Sequence, residues 1–190
     1  KALVEGANTL DGKYSVWEVY SSGAVHNGTA WLTGAQMSSQ GHENTFAKDL
    51  NSDGLISGGS NYQIATSTGA INLTNWNGSS SYSDSTSTAW DVIQVTTSGS
   101  GYKALVEGAN TLDGKYSVWE VYSSGAVHNG TAWLTGAQMS SQGHENTFAK
   151  DLNSDGLISG GSNYQVATST GAINLTNWNG SSSYSDSTST

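Results

Sequence analysis

The chain has 190 residues, a formal net charge of −9 and no Cys, Pro or Arg. Absent Cys excludes a disulfide framework, a thiolate metal site and cysteine catalysis. Scarce cationic side chains argue against nucleic acid, whose phosphates Lys and Arg neutralise.

Residues 1–88 return as residues 103–190 with one change, Ile64 to Val166, an offset of 103 − 1 = 102 positions. Solenoid units typically run ~20–50 residues, so a period of this length reads as a small globular domain instead. The expected layout is a row of beads, one complete repeat in the middle flanked by two partial ones. No apolar run is long enough to span a bilayer, and nothing reads as a signal peptide. The segment is expected to be a window on a longer array.

One period, taken in chain order from Tyr62, opens with YQIAT (62–66) and GAINLTNW (69–76), two alternating segments joined by turn residues, which predict a hairpin. The polar stretch 77–88, NGSSSYSDSTST, predicts a surface loop. AWDVIQVTT (89–97) and YKALVEG (102–108) predict strands around the turn SGSG. NTLDG turns the chain again into KYSVWEVYSS (115–124), the strongest strand pattern, with Trp119 and Val121 on one face and Tyr116, Val118, Glu120 and Tyr122 on the other. Residues 125–136 predict a further short strand or hairpin. Residues 140–152 alone have helical character: Ser141 as cap, Glu145 in the first turns, Phe148 and Leu152 on one face. The predicted fold is therefore mostly β (α+β), an antiparallel twisted sheet with one short helix per repeat.

KDLNSDGLISG (48–58) follows that helix and recurs unchanged as 150–160. It has the DxNxDG opening of an EF-hand loop. Calcium takes ~6–8 hard oxygen ligands, from side chains at loop positions 1, 3 and 5 and the carbonyl at position 7, with Gly at position 6 for a sharp turn. Asp49, Asn51, Asp53 and the Leu55 carbonyl fill these places, as do Asp151, Asn153, Asp155 and Leu157. The usual bidentate Glu at position 12 is replaced by Ser60 and Ser162. Glu43 and Glu145, on the preceding helix, are the candidates for the missing carboxylate; their other reading is charge stabilisation of a helix N-terminus. The other reading of the loop is a polar turn rich in Asx residues.

Taken together, AWDVIQ (89–94), GYKALVEGAN (101–110), GKYSVWEVYSSGAV (114–127) and HENTFAKDLNSDGLI (144–158) resemble a tryptophan-rich domain. That domain occurs at the C-terminus of, and in tandem within, large secreted proteins of cyanobacteria and proteobacteria, many with RTX-type calcium repeats. The matching positions are Trp90, Val92, Tyr102, Tyr116, Val118, Trp119, Glu145, Phe148, Asp151, Leu152, Asn153, Asp155 and Gly156; Ser154 stands where that family usually has Gly. The resemblance implies a non-catalytic, calcium-binding extracellular repeat whose unit ends just after the calcium loop, so that 1–59 is the end of one repeat, 60–161 a complete repeat and 162–190 the start of the next.

Trp17, Trp31, Trp76 and Trp90 fall in predicted strands and read as core, while Trp76 and Tyr82, with Trp178 and Tyr184, are the candidates for stacking on sugars. His26 and His42 pair with no carboxylate in a known motif and read as surface residues. Glu5 and Glu18 could face one another as a glycosidase pair, but the loop already claims several of the eight acids in a period. The sequons at Asn27, Asn72 and Asn77 and the Ser/Thr-rich 79–88 are candidate glycan attachment positions. The functional expectation is a structural repeat of an extracellular surface filament, sheath or matrix fibre, with calcium as cofactor and neighbouring copies as partners. The alternative is an adhesin whose exposed aromatics bind glycans.

Overall fold

The computed structural model describes residues 1–161, 163–168 and 171–184. The chain divides into two units, Lys1–Thr86 with Ser124–Ala126, and Ser87–Ser123 with Val127–Thr190.

Unit 1 begins with β1 (Ala2–Glu5), β2 (Lys13–Val19), β3 (Val25–Gly28) and β4 (Leu32–Thr33). They form one antiparallel sheet in the order β1-β2-β3, with β4 also on β2. Helices α1 (Gly34–Ser39) and α2 (His42–Phe46) follow. A second sheet joins β5 (Leu55–Ile56), β6 (Gln63–Thr66) and β7 (Gly69–Asn72). β5 lies before residue 59 and its partner β6 after it, so this sheet spans the position where the sequence suggested a unit boundary.

Unit 2 adds a strand at the front: β8 (Trp90–Ser98), then β9 (Gly101–Gly108), β10 (Lys115–Val121), β11 (Val127–Gly130) and β12 (Leu134–Thr135). The sheet order is β11-β10-β9-β8, with β12 on β10. Helices α3 (Gly136–Ser141) and α4 (His144–Phe148) precede a sheet of β13 (Leu157–Ile158), β14 (Gln165–Thr168) and β15 (Gly171–Asn174).

The mostly-β, antiparallel reading holds: the alternating segments at 62–66, 69–76, 89–97, 102–108 and 115–124 each contain a strand, although 73–76 and 122–124 lie beyond the strand ends. One short helix per repeat is corrected to two. Gly143 adopts φ 75°, which interrupts the expected helix between Ser141 and His144. Ser141 does not cap it but closes α3; its hydroxyl donates to the Gln138 carbonyl. The cap is Thr135, whose hydroxyl accepts from the Gln138 N–H while the Gln138 side chain accepts from the Thr135 N–H, a capping box. Phe148 and Leu152 do meet, in a core with Leu105, Val118 and Met139. The matching core of unit 1 is Val16, Met37 and Leu50. Among the described residues no helix is long and apolar enough to cross a membrane.

Candidate functional site

The acidic loop connects α2 to β5 in unit 1 and α4 to β13 in unit 2. In unit 1 the Asp49 carboxylate accepts from the Ser52 N–H (2.7 Å) and the Gly54 N–H (2.9 Å). Asn51 Oδ1 accepts from the Asp53 N–H at 3.0 Å, and Asp53 Oδ1 from the Leu55 N–H at 2.8 Å. The Asn51 carboxamide donates to Asp53 Oδ2 at 2.7 Å. These bonds gather Asp49, Asn51 and Asp53 around one curl of backbone. The curl needs left-handed residues: Gly54 has φ 83° and Ser52 φ 63°. A left-handed Ser is strained, typically by about 1–2 kcal/mol.

Unit 2 repeats the set: Asp151 accepts from Ser154 and Gly156, Asn153 from Asp155, and Asp155 from Leu157. Asn153 again donates to the second Asp at 2.9 Å. The Gly54 carbonyl accepts from the Ala65 N–H and Leu55 pairs with Ile64. Alternation along an antiparallel ladder therefore turns the Leu55 N–H and C=O away from β6, toward the loop.

Glu43 and Glu145 are fully buried. Glu43 Oε1 accepts from the Leu50 and Asn51 N–H groups at 2.9 and 3.3 Å, and Oε2 from the Ser57 N–H and hydroxyl at 3.1 and 2.7 Å. Glu145 makes the same four bonds with Leu152, Asn153 and Ser159. Each carboxylate thus clamps the two ends of its loop together, with both oxygens engaged by protein donors. The Ser38 hydroxyl meets Ser57 at 2.6 Å, and Ser140 meets Ser159 in the second copy. This clamp spans 14 residues and had no local signal in the sequence.

Burial pushes the Asp53 carboxyl up to about 6. Bonds from Leu55 and Asn51 oppose that rise, while the charges of Asp49 and Glu43 add to it. For Glu145 desolvation also acts upward, but the bonds from Ser159, Leu152 and Ser140 outweigh it and hold the carboxyl below its usual range.

Among the described residues no group of three or more His, Cys, Asp or Glu side chains is placed to hold a metal. The loop brings two carboxylates together with a carboxamide and a carbonyl, an all-oxygen set suited to a hard cation that keeps several waters. Ser60 is exposed, and Ser162 lies outside the described residues.

Trp76 is not in a strand; it stands in a tight turn where Asn75 Oδ1 accepts from the Ser79 and Ser80 N–H groups, and it is 76% exposed. Trp178 and Tyr184 are likewise exposed, and Tyr82 is half-buried. Glu5 pairs in register with Tyr14, four positions from Glu18 on the same strand, so the two acids do not oppose one another. Glu5 instead meets Lys48 at 3.7 Å. His26 lies against Tyr20, ring centroids 4.3 Å apart, and His128 stacks on Tyr122 at 4.0 Å. A cleft of about 310 Å³ in unit 2 is lined by Tyr102, Lys103, Glu120, Tyr122, Ser123 and His128, among others. Comparison with protein-family models, with curated proteins and with solved structures finds no match to this chain.

Proposed function

We propose that the chain is a non-catalytic structural segment of a long extracellular bacterial surface protein, built from tandem repeats that calcium stiffens and that assemble into a filament, sheath or matrix fibre. The observation that carries the reading is the acidic loop, reproduced bond for bond in two copies of a 102-residue repeat. Asp49, Asn51, Asp53 and the Leu55 carbonyl would hold the ion in the first copy, and Asp151, Asn153, Asp155 and the Leu157 carbonyl in the second. A hard divalent cation supplies positive charge that offsets the crowded carboxylates. Glu43 and Glu145, the candidates for the missing carboxylate, would set the loop's width through their backbone bonds.

Each period carries three Lys against eight acids, so units without a counterion repel themselves. Coupling ion binding to folding would keep the chain loose where calcium is scarce and firm it after export. The resemblance to the tryptophan-rich domain of secreted calcium-binding proteins points the same way. Electron microscopy of the native array with and without a chelator tests the reading. Filaments that soften or fragment in chelator are expected; filaments unchanged in excess chelator contradict calcium stiffening.

The exposed Trp76 and Trp178 and the Tyr122–His128 stack beside the 310 Å³ cleft favour a second reading, an adhesin repeat that binds glycans on aromatic faces. Binding to an immobilised glycan set, lost on Trp76→Ala and Trp178→Ala, would select it.

A further inference from the structure

Two recesses of unit 2 share a wall. The larger, about 310 Å³, lies where the β8–β9 turn approaches the end of β10, and Ser98, Ser100, Tyr122 and His128 line it. The smaller, about 100 Å³, is lined by Asn129, Thr131 and His144. Lys103 and Glu120, directly opposite one another in the β9–β10 register, line both. The recesses therefore join into one groove.

A β-bulge shapes that groove. Glu120 pairs with Asn129 and Val121 with Val127, which leaves His128 outside the ladder. A bulge re-aims the side chain that it releases. The His128 ring lies flat on Tyr122, with centroids 4.0 Å and planes 19° apart, and Tyr122 is 54% exposed. Unit 1 has the same device: a register shift between Glu18 and Val19 releases His26 onto Tyr20. The smaller recess also recurs there, at about 120 Å³, lined by Lys1, Glu18, Asn27, Thr29 and His42. Bulge, ring stack and polar recess thus belong to the repeat itself.

The chemistry of the groove narrows what it can hold. The Lys103 ammonium only donates, the Glu120 carboxylate only accepts, and the serine and threonine hydroxyls do both. The Asn129 carboxamide steadies the carboxylate, donating to Glu120 Oε2 at 3.4 Å. Lys103 and Glu120 carry opposite charges side by side, so the pair selects neither an anion nor a cation. An apolar ligand would strip water from these polar groups without replacing its hydrogen bonds. A neutral molecule with a C–H face for the rings and hydroxyls for the polar groups meets every requirement. A recess of about 310 Å³ is at the low end of small-molecule sites, ~300–1,000 Å³, which suits a sugar rather than a large cofactor.

We propose that this groove is a saccharide site, where a neutral pyranose lies with its C–H face on the Tyr122–His128 stack and its hydroxyls on Lys103 and Glu120. The proposal rests on the glycan reading above, and moves the contact from the exposed Trp76 and Trp178 to the groove.

The test titrates the 190-residue chain with methyl pyranosides of glucose, galactose, mannose and N-acetylglucosamine, with their tetrasaccharides and with methyl glucuronide. Calorimetry reads affinity, and saturation-transfer NMR reads which ligand protons touch protein. Saturable binding of at least one neutral glycoside is expected, with the strongest transfer at C–H protons of one ring face and weaker binding of the glucuronide. Tyr20→Ala with Tyr122→Ala should lower affinity by about tenfold or more, while the melting temperature stays near that of the parent chain because both rings are exposed. Trp76→Ala with Trp178→Ala should leave affinity unchanged. Binding lost in the tryptophan pair and kept in the tyrosine pair overturns the groove and leaves the glycan reading standing. Tighter binding of the glucuronide than of methyl glucoside overturns the neutral-sugar assignment. No saturable binding of any sugar overturns the groove and the glycan reading together.

Discussion

Leu3 and Leu105 occupy the same place in the same sequence, yet one is half-buried and the other fully enclosed. The same holds for Phe46 and Phe148, and for Val19 and Val121. What separates them is β8, whose Ile93 packs on the unit 2 core and whose Gln94 side chain donates to the Phe148 carbonyl at 2.9 Å. The second sheets differ in the opposite sense: Leu73 is enclosed in unit 1, and its equivalent Leu175 is exposed in unit 2. Sequence sets which residues can form a core; the strand or segment that flanks them sets how deeply they are buried.

The largest expected effect breaks this comparison at the aromatic pair. Phe148→Ala should destabilise unit 2 by about 3–5 kcal/mol, the usual cost of emptying an enclosed Phe site. Phe46→Ala should cost unit 1 clearly less, because its ring is already partly in water. Residue-resolved exchange under mild denaturant separates the units, and equal losses would mean that β8 adds no enclosure.

Next in size is the carboxylate clamp. Glu145→Gln keeps the shape but turns acceptors into a donor facing the Ser159 N–H and hydroxyl, at a cost of about 1–3 kcal/mol. The pH dependence follows from the depressed Glu145 value. A carboxyl lowered on folding contributes stability that is present above its unfolded pKa, about 4.3, and is lost as pH falls through the lower folded value. Unit 2 should therefore loosen as the pH drops below about 4, and the Gln variant should lose that acid step in a pH series of melts.

Smaller again is a glycine pair. Gly23 and Gly125 are equivalent, with φ 87° and 89°. A β-carbon at Gly125 would stand 2.2 Å from the Asn72 carbonyl oxygen, whereas nothing lies within 4 Å of one at Gly23. Alanine at either position meets the same backbone strain, so the excess cost at Gly125, about 1–3 kcal/mol, reports the contact with Asn72 alone. The smallest change should be favourable: Ala149→Gly, at a helix end with φ 49°, should raise the melting temperature slightly, through relief of about 1 kcal/mol.

Much of this architecture was legible beforehand. Alternation in 89–97, 102–108 and 115–121 marks three strands because a half-buried sheet imposes a period of two. The helical segment was legible in place but not in form. Gly143 falls inside the run 140–152 but its φ of 75° divides it, and the true start is marked by the Thr135-x-x-Gln138 capping box. The acidic curl was readable because Asp49, Asn51, Asp53 and Gly54 lie within six residues. The use of Glu43 was not, since its partner Ser57 is fourteen residues away and appears only once the chain has folded back. The unequal burial of identical copies could not be read at all, because a repeated sequence carries no record of which neighbours it meets.

A calorimetric titration of calcium into the chain, repeated with Asp49→Asn, Asp53→Asn, Asp151→Asn and Asp155→Asn together, tests the stiffening of these repeats most directly. The account predicts two saturable sites per chain, a melting temperature that rises with free calcium as mass action requires, and loss of both in the substituted chain. Absence of binding heat together with an unchanged melt at millimolar calcium would contradict it.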